Sequence, residues 1–561
     1  LTKAAPGGST VGVTGEDALA IGDSSSGGPG VLAEVLLGGV GALAVLAFVF
    51  ASFLAFLPIV VAAASILTTF ILLLPLTYVS DVSFIVEFLV ALIGLGVAID
   101  YSLIIVVRWR EELAHGAKGD EAIVRAMATA GRAVVFSGTT VAIGLLALVV
   151  LPLPFLRSVG FGGMLIPLVS VLVALTLLPV VLHSVGRRLD WPHLRTDDNA
   201  SKAWTRWARA VVKRRWVAAL GAAVILAALA LAATNLHPGI SNVDTIAKSG
   251  DAKDGLVALE RSGIGSGALL PHEVIAPAGD AAAVRGAVAG VDGVHGAVAP
   301  ASWRAGGTAI VEAFPVADGS SAAGRDLVGQ VRAAAHQVAP QARLGGQPSQ
   351  NHDFIDAVYG NFPLMIALIT VITFVLLARA FRSLLLPLKA VLLNVVSVAA
   401  AWGVLQLVWQ EGHGSQAIWG IAATGSVTAW IPLMVFAFLF GLSMDYEVFI
   451  LARMREEYDA TGSTDEAVVR GIGRTGRLVT SAALILFLAF MSLASGPETD
   501  VKVLATGLAA GILLDATVIR ALLVPAVVSL FGRWNWVLPP GPAKLLRVEP
   551  SMPPTAAEAP G

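Results

Sequence analysis

The stretch GLGVAIDYSLIIVVRWREEL, residues 94–113, decides the fold. It runs apolar for most of its length, is broken by Asp100 and Tyr101, and ends in Arg108, Arg110, Glu111 and Glu112. On an α-helix Asp100 would lie ~12 Å from Arg108, near the middle of a bilayer whose edge the charged cluster marks. A charged residue at that depth costs ~3 kcal/mol on insertion scales, so Asp100 is a functional candidate from the outset.

The rest of the chain has the composition of a membrane protein. Of 561 residues, 56% are apolar and 14% charged, against about 25% charged in soluble domains. Eleven apolar blocks read as spans: about 33–54, 57–78, 84–107, 133–153, 159–185, 216–234, 360–379, 384–408, 429–452, 478–495 and 502–530. The near balance of 37 Lys and Arg against 39 Asp and Glu removes a simple nucleic-acid reading. The absence of cysteine excludes disulfides and thiolate chemistry. No G-x4-G-K-[ST] or H-E-x-x-H motif occurs, and no cofactor, metal or catalytic residue is expected.

If 84–107 ends in the cytoplasm, segments 108–132, 187–215, 379–389, 453–477 and 533–561 are inside and hold 25 of the 37 basic residues. The positive-inside rule fixes that orientation. Between spans six and seven, residues 235–357 read differently. Strands at 273–278, 294–302, 308–316 and 341–346 and helices at 280–290 and 321–339 give the order βαββαβ. The expected architecture is therefore a polytopic α-helical bundle with an α+β, ferredoxin-like extracytoplasmic domain. Its segments are 1–30 (end of a truncated first outer domain and linker), 31–186 (first membrane half), 187–215 (cytoplasmic linker), 216–234 (first span of the second half), 235–357 (outer domain), 358–532 (remaining spans) and 533–561 (a cytoplasmic, Pro-rich, disordered tail).

The opening stretch recurs. FGLSMDYEVFILARMREEY at 440–458 repeats it at an offset of 345, so that Gly96, Asp100, Tyr101, Arg108 and Arg110 match Gly441, Asp445, Tyr446, Arg453 and Arg455. The register continues ungapped to Gly131-Arg132 and Gly476-Arg477, which marks a duplicated bundle. About 130 residues are expected to be missing before the first half, because 229 residues of the second half precede Asp445 and only 99 precede Asp100.

The candidate chemistry follows from depth. Asp100, Asp445, Glu447 and Asp515 are intramembrane acids facing one intramembrane base, Arg520. They cannot all be ion-paired, so some must be protonated or hydrated, and such acids can carry protons. Each repeated Asp is followed by Tyr, and adjacent helical residues point ~100° apart, so bonding across to the equivalent helix is expected: Asp100 with Tyr446, Asp445 with Tyr101. Asp515 and Arg520, five residues apart, would face different sides of an α-helix and brace the bundle.

The two Asp-Tyr stretches, together with GIGRTGRLVTSAA (471–483) and LLDATVIRALLVPA (513–526), resemble the MMPL (mycobacterial membrane protein large) transporters of the resistance-nodulation-division superfamily. The resemblance spans about residues 11–538. It implies two six-helix halves, two outer porter domains, and secondary active, proton-driven export of lipids or other hydrophobic molecules across the bacterial cytoplasmic membrane. It also implies that Asp100, Tyr101, Asp445 and Tyr446 form the proton relay, with Glu447, Asp515 and Arg520 as secondary polar positions. The partners implied are a hydrophobic or lipid substrate, protons and membrane lipids. The departure from the pattern is the missing first span and first porter domain. Two other classes compete: a protein-translocation accessory of the same superfamily, which would need larger outer domains, and an intramembrane aspartyl protease, whose G-x-G-D context is absent.

Overall fold

A chain segment in hydrocarbon must satisfy its backbone polar groups internally, and the long apolar blocks do so as helices. The computed structural model describes residues 11–19, 31–78, 82, 84–192, 201–247, 249–496 and 498–551. In the first half these form α1 (Val31–Phe50), α2 (Phe56–Thr77), α3 (Phe84–Ala114), α4 (Arg132–Leu146) and α5 (Pro154–Leu189). A linking helix α6 (Lys202–Lys213) leads to α7 (Arg215–Ala233). After the α+β domain come α11 (Gln347–Phe381), α12 (Leu385–Leu405), α13 (Ile431–Thr461), α14 (Thr464–Leu493) and α15 (Thr499–Leu514). A wide-turn segment, Asp515–Leu523, then joins α15 to α16 (Val524–Phe531). Among the described residues ten helices are long and apolar enough to cross a membrane; the eleventh expected block is α1, whose described apolar stretch is Leu36–Phe50.

The duplication is visible in the packing. The apolar windows of α3 and α13 are each 94% buried, which makes them the central pair. Helix α3 meets α14 where a Cβ on Gly96 would run into Leu486, and α13 meets α4 where Gly441 would approach Val141 Cα at 3.4 Å. Val141 and Leu486 are themselves 345 residues apart, so the two contacts are one contact seen twice. Small residues at such crossings let backbones approach closely. The charged ends repeat too: Arg108–Glu111 at 2.9 Å answers Arg453–Glu456 at 2.7 Å, and Glu112–Arg125 at 3.8 Å answers Glu457–Arg470 at 3.9 Å.

The α+β domain opens with α8 (Asp251–Arg261) and contains β1 (His272–Pro277), α9 (Ala281–Ala289), β2 (Val294–Val298), β3 (Thr308–Pro315), α10 (Ala322–Val338) and β4 (Arg343–Gly345). The main strand order is β2-β3-β1-β4, all antiparallel, the arrangement of a ferredoxin-like sheet. Alternate residues of β1 and β3 point inward, so Val274, Ala276, Val311 and Ala313 pack on Val284, Val288, Leu327 and Val331 of α9 and α10. Ser321 caps α10, its hydroxyl accepting from Gly324 N at 3.0 Å. Gly346 turns the chain from β4 into α11 at φ +84°, where a Cβ would also strike Pro271 O at 2.6 Å. Of the expected leading segment 1–30 only 11–19 are described; Leu19 is buried with Val243, Leu256 and Leu270 beside the domain.

His272, at the start of β1, is 1% exposed and its Nδ1 has no hydrogen-bond partner among the described residues. Burial pushes its imidazole down to about 4 from the ordinary 6.5. The folded domain thus prefers the neutral ring. Its stabilisation is intact above 6.5 and is lost as pH falls from 6.5 towards 4, by up to ~3 kcal/mol. Amide exchange of β1 followed against pH should show opening growing in that window, and His272→Leu should flatten the profile.

One expectation is overturned. Residues 533–551, read from composition as part of a disordered tail, are ordered. Trp536 and Leu538 are buried, Tyr458 stacks on Trp536 at 4.6 Å, and α17 (Pro540–Leu546) follows. Leu538 and Ser551 pair through their backbones, and Arg455 donates to Ser551 Oγ at 2.9 Å. Proline density signals an absence of regular helix; it says nothing of the apolar and polar anchors placed between the prolines. Residues 552–561 lie outside the described residues.

Candidate functional site

Asp100 on α3 and Tyr446 on α13 face each other at the centre of the bundle, 5% and 4% exposed. The Tyr446 hydroxyl donates to Asp100 Oδ2, so the hydrogen bond links the first half to the second. Asp100 Oδ1 has no hydrogen-bond partner among the described residues. Tyr101 is buried beside Asp100. Asp445 occupies the matching turn of α13, but its side chain, and with it the bond expected with Tyr101, lies outside the described residues.

A second group of side chains backs this bond. The Arg520 guanidinium sits over the Tyr446 ring, 4.7 Å from its centre. Its Nη2 donates to Asp515 Oδ2 and to the Ser443 carbonyl at 2.7 Å, and Ser443 Oγ donates to Asp515 Oδ2 at 2.8 Å. Asp515 and Arg520 therefore do not face different sides. The segment between them is π-helical, and its i→i+5 periodicity brings residues five apart onto one face. Arg520 is consequently both the counter-ion of Asp515 and the cation against the phenol that holds Asp100.

Glu447, one residue beyond Tyr446, is 5% exposed and borders a cavity of about 10 Å³ shared with Lys389. That volume suits about one water. Lys389 donates in turn to Asn535 Oδ1, and Asn535 is fully buried. Sequence reading counted Lys389 with Arg379 and Arg382 in the inner segment 379–389, at the start of the span expected over 384–408. In the fold it is the fifth residue of α12.

The charges are one-sided. In the ungapped register Ser443 and Glu447 correspond to Ala98 and Ser102, and α5 carries no acidic residue, Lys or Arg from Ser158 to Gly186. Of these deep polar positions, only the Asp-Tyr motif is held twice.

A duplicated helical bundle with an inserted ferredoxin-like domain and a buried carboxylate–phenol bond between its halves defines a polytopic membrane protein built as a tandem repeat. The chain belongs to the MMPL family, whose pattern matches residues 1–220 and 304–548. It is 36% identical to the mycolic acid-containing lipids exporter MmpL11 of Mycolicibacterium smegmatis over 86% of its length and 52% of that protein's. It is 35% identical to the heme uptake protein MmpL11 of Mycobacterium tuberculosis, covering 89% of this chain and 53% of that one. It is 32% identical to membrane protein YdfJ of Bacillus subtilis, covering 90% and 72%. The chain thus spans about half the length of the mycobacterial relatives it matches. Its fold resembles crystallised SecDF in the super-membrane-facing form, at TM-score 0.51 and 16% identity, over 90% of this chain and 62% of that one. With its relatives it is a multi-pass protein of the bacterial cytoplasmic membrane.

Proposed function

We propose that this chain works in proton-driven export of lipids or other hydrophobic molecules. The observation that carries this reading is the bond between Tyr446 and Asp100, a titratable group deep in the spans and tied across the two halves. As a carboxylate Asp100 only accepts hydrogen bonds; once protonated it can also donate. Uptake of one proton removes a charge and lets the bond between α3 and α13 reverse, a local change with leverage on how the halves sit. Tyr101 and Asp445 would form the second such pair. The membrane potential supplies ~2.3 kcal/mol per charge moved through 100 mV, enough to bias such a change.

In this reading the arginine-rich helix ends lie in the cytoplasm and residues 235–357 outside it, as the distribution of basic residues supports. Lipid cargo is supported by the Mycolicibacterium relative, a mycolic acid-containing lipids exporter. The test is cargo movement in vesicles bearing the full-length protein under an imposed pH gradient. Lipid release that tracks the gradient is expected; release unchanged when the gradient is collapsed would sink the coupling.

A further inference from the structure

At the end of the bundle away from the arginine-rich face lies a cavity of about 570 Å³, roofed by the α+β domain. Trp430 in its wall precedes Tyr446 by sixteen residues, or ~24 Å of helix. Three carboxylates line it, Glu16, Glu498 and Asp500, together with neutral hydrogen-bonding groups such as Ser241, Gln350 and Asn351. No Lys, Arg or His is among the described lining residues. Two of the acids are positioned: Thr428 Oγ1 donates to Asp500 Oδ1 at 2.7 Å, and Gln347 Nε2 donates to Glu16 Oε1 at 3.0 Å. Neither bond neutralises a charge, and among the described residues none of the three acids has a salt bridge. A nearby lysine, Lys253, is paired with Asp244 at 2.7 Å.

A second cavity, of about 380 Å³, shares Phe354, Trp430, Glu498 and Asp500 with the first. Its remaining wall is apolar and comes from the ends of the membrane helices, with Ile85, Leu153, Phe155 and Val501. Phe155 meets Trp430 edge-on at 6.0 Å. The two compartments therefore adjoin along the shared carboxylates, an acidic chamber beside an apolar one.

That pairing fits an amphiphile, with its tail among the helices and its head against the acids. A negative head would meet three carboxylates that have no salt bridge among the described residues, and like-charge repulsion disfavours it. We infer that the adjoining cavities bind amphiphiles whose head group donates hydrogen bonds and carries no negative charge, an ammonium head most tightly. The inference rests on the export reading for its biological sense, but binding can be measured without transport.

The experiment uses purified full-length protein and three ligands sharing one pyrene-labelled alkyl chain, ending in a primary ammonium, a polyol or a carboxylate. Affinity should fall in that order, with ammonium at least ~10-fold above carboxylate, one factor of ten being ~1.4 kcal/mol. Glu498→Gln combined with Asp500→Asn should collapse the difference to under ~3-fold while retaining tail binding. Both changes keep size: Asn still accepts from Thr428, and Glu498 makes no side-chain capping bond to α15. The binding assay needs no proton gradient, which separates this test from that of proton coupling. Carboxylate binding as tight as ammonium would overturn the charge preference and leave the export reading standing. If no ligand binds saturably, the cavity is not a cargo site.

Discussion

Asp100→Asn is expected to lower gradient-driven export by at least ~100-fold, the scale on which loss of a positioned proton-transfer group is felt. Asparagine matches aspartate in size, and its carbonyl can accept the Tyr446 hydroxyl as Asp100 Oδ2 does. What it cannot do is gain and lose a proton. A purely structural role for the bond therefore predicts survival of activity in Asp100→Asn, whereas a relay predicts its loss in a folded protein. Tyr446→Phe removes the hydroxyl and keeps the ring beneath Arg520, so export should fall less steeply. The measurement is efflux from vesicles under an acid-outside gradient, with folding checked by thermal unfolding in detergent. Full efflux by a correctly inserted Asp100→Asn protein would falsify the relay.

The largest stability effect is expected at Arg520. Replacing it by Leu leaves Asp515 buried with Ser443 as its only remaining hydrogen-bond donor among the described residues, and removing one partner of a buried ion pair costs ~3–5 kcal/mol. The double change Arg520→Leu with Asp515→Leu should recover most of that loss, because apolar residues of similar volume often replace a buried pair without penalty. Export should remain low in the double variant, since the cation over the Tyr446 ring is gone. Thermal unfolding of the single and double variants separates the two contributions. A single variant as stable as the parent would show that the Arg520–Asp515 pair does not hold the bundle together.

What the sequence made legible was set by periodicity. The repeat at 345 residues placed Asp100 and Tyr446 at matching depth, and the ~100° step between neighbouring helical residues was enough to pair them across the halves. The strands of the α+β domain were legible for the same reason, since β1 and β3 alternate cleanly between core and surface. Asp515 and Arg520 were misjudged because a local change from α to π periodicity leaves no reliable mark in composition. Lys389 was missed as a site residue because counting basic residues groups it with Arg379 and Arg382, while its place beside Glu447 is a tertiary fact. The order of 533–551 was hidden by its prolines, since burial of Trp536 and Leu538 depends on what packs against them. The polar lining of the outer cavity, drawn from positions as distant as Glu16 and Asp500, is a tertiary fact with no local signature.

The one-sided placement of Ser443, Glu447, Asp515 and Arg520 has an evolutionary meaning. An assembly of two identical half-length chains would have to carry every such group twice, at ~3 kcal/mol of insertion cost per charged residue. Tandem fusion lifts that obligation. One copy can carry the polar groups while its sister holds Ala98 and Ser102 at the matching positions, so the repeat survives as a scaffold and the electrostatics are free to diverge. A fused gene can thus explore polar substitutions in one half at a time, a freedom closed to a strict homodimer.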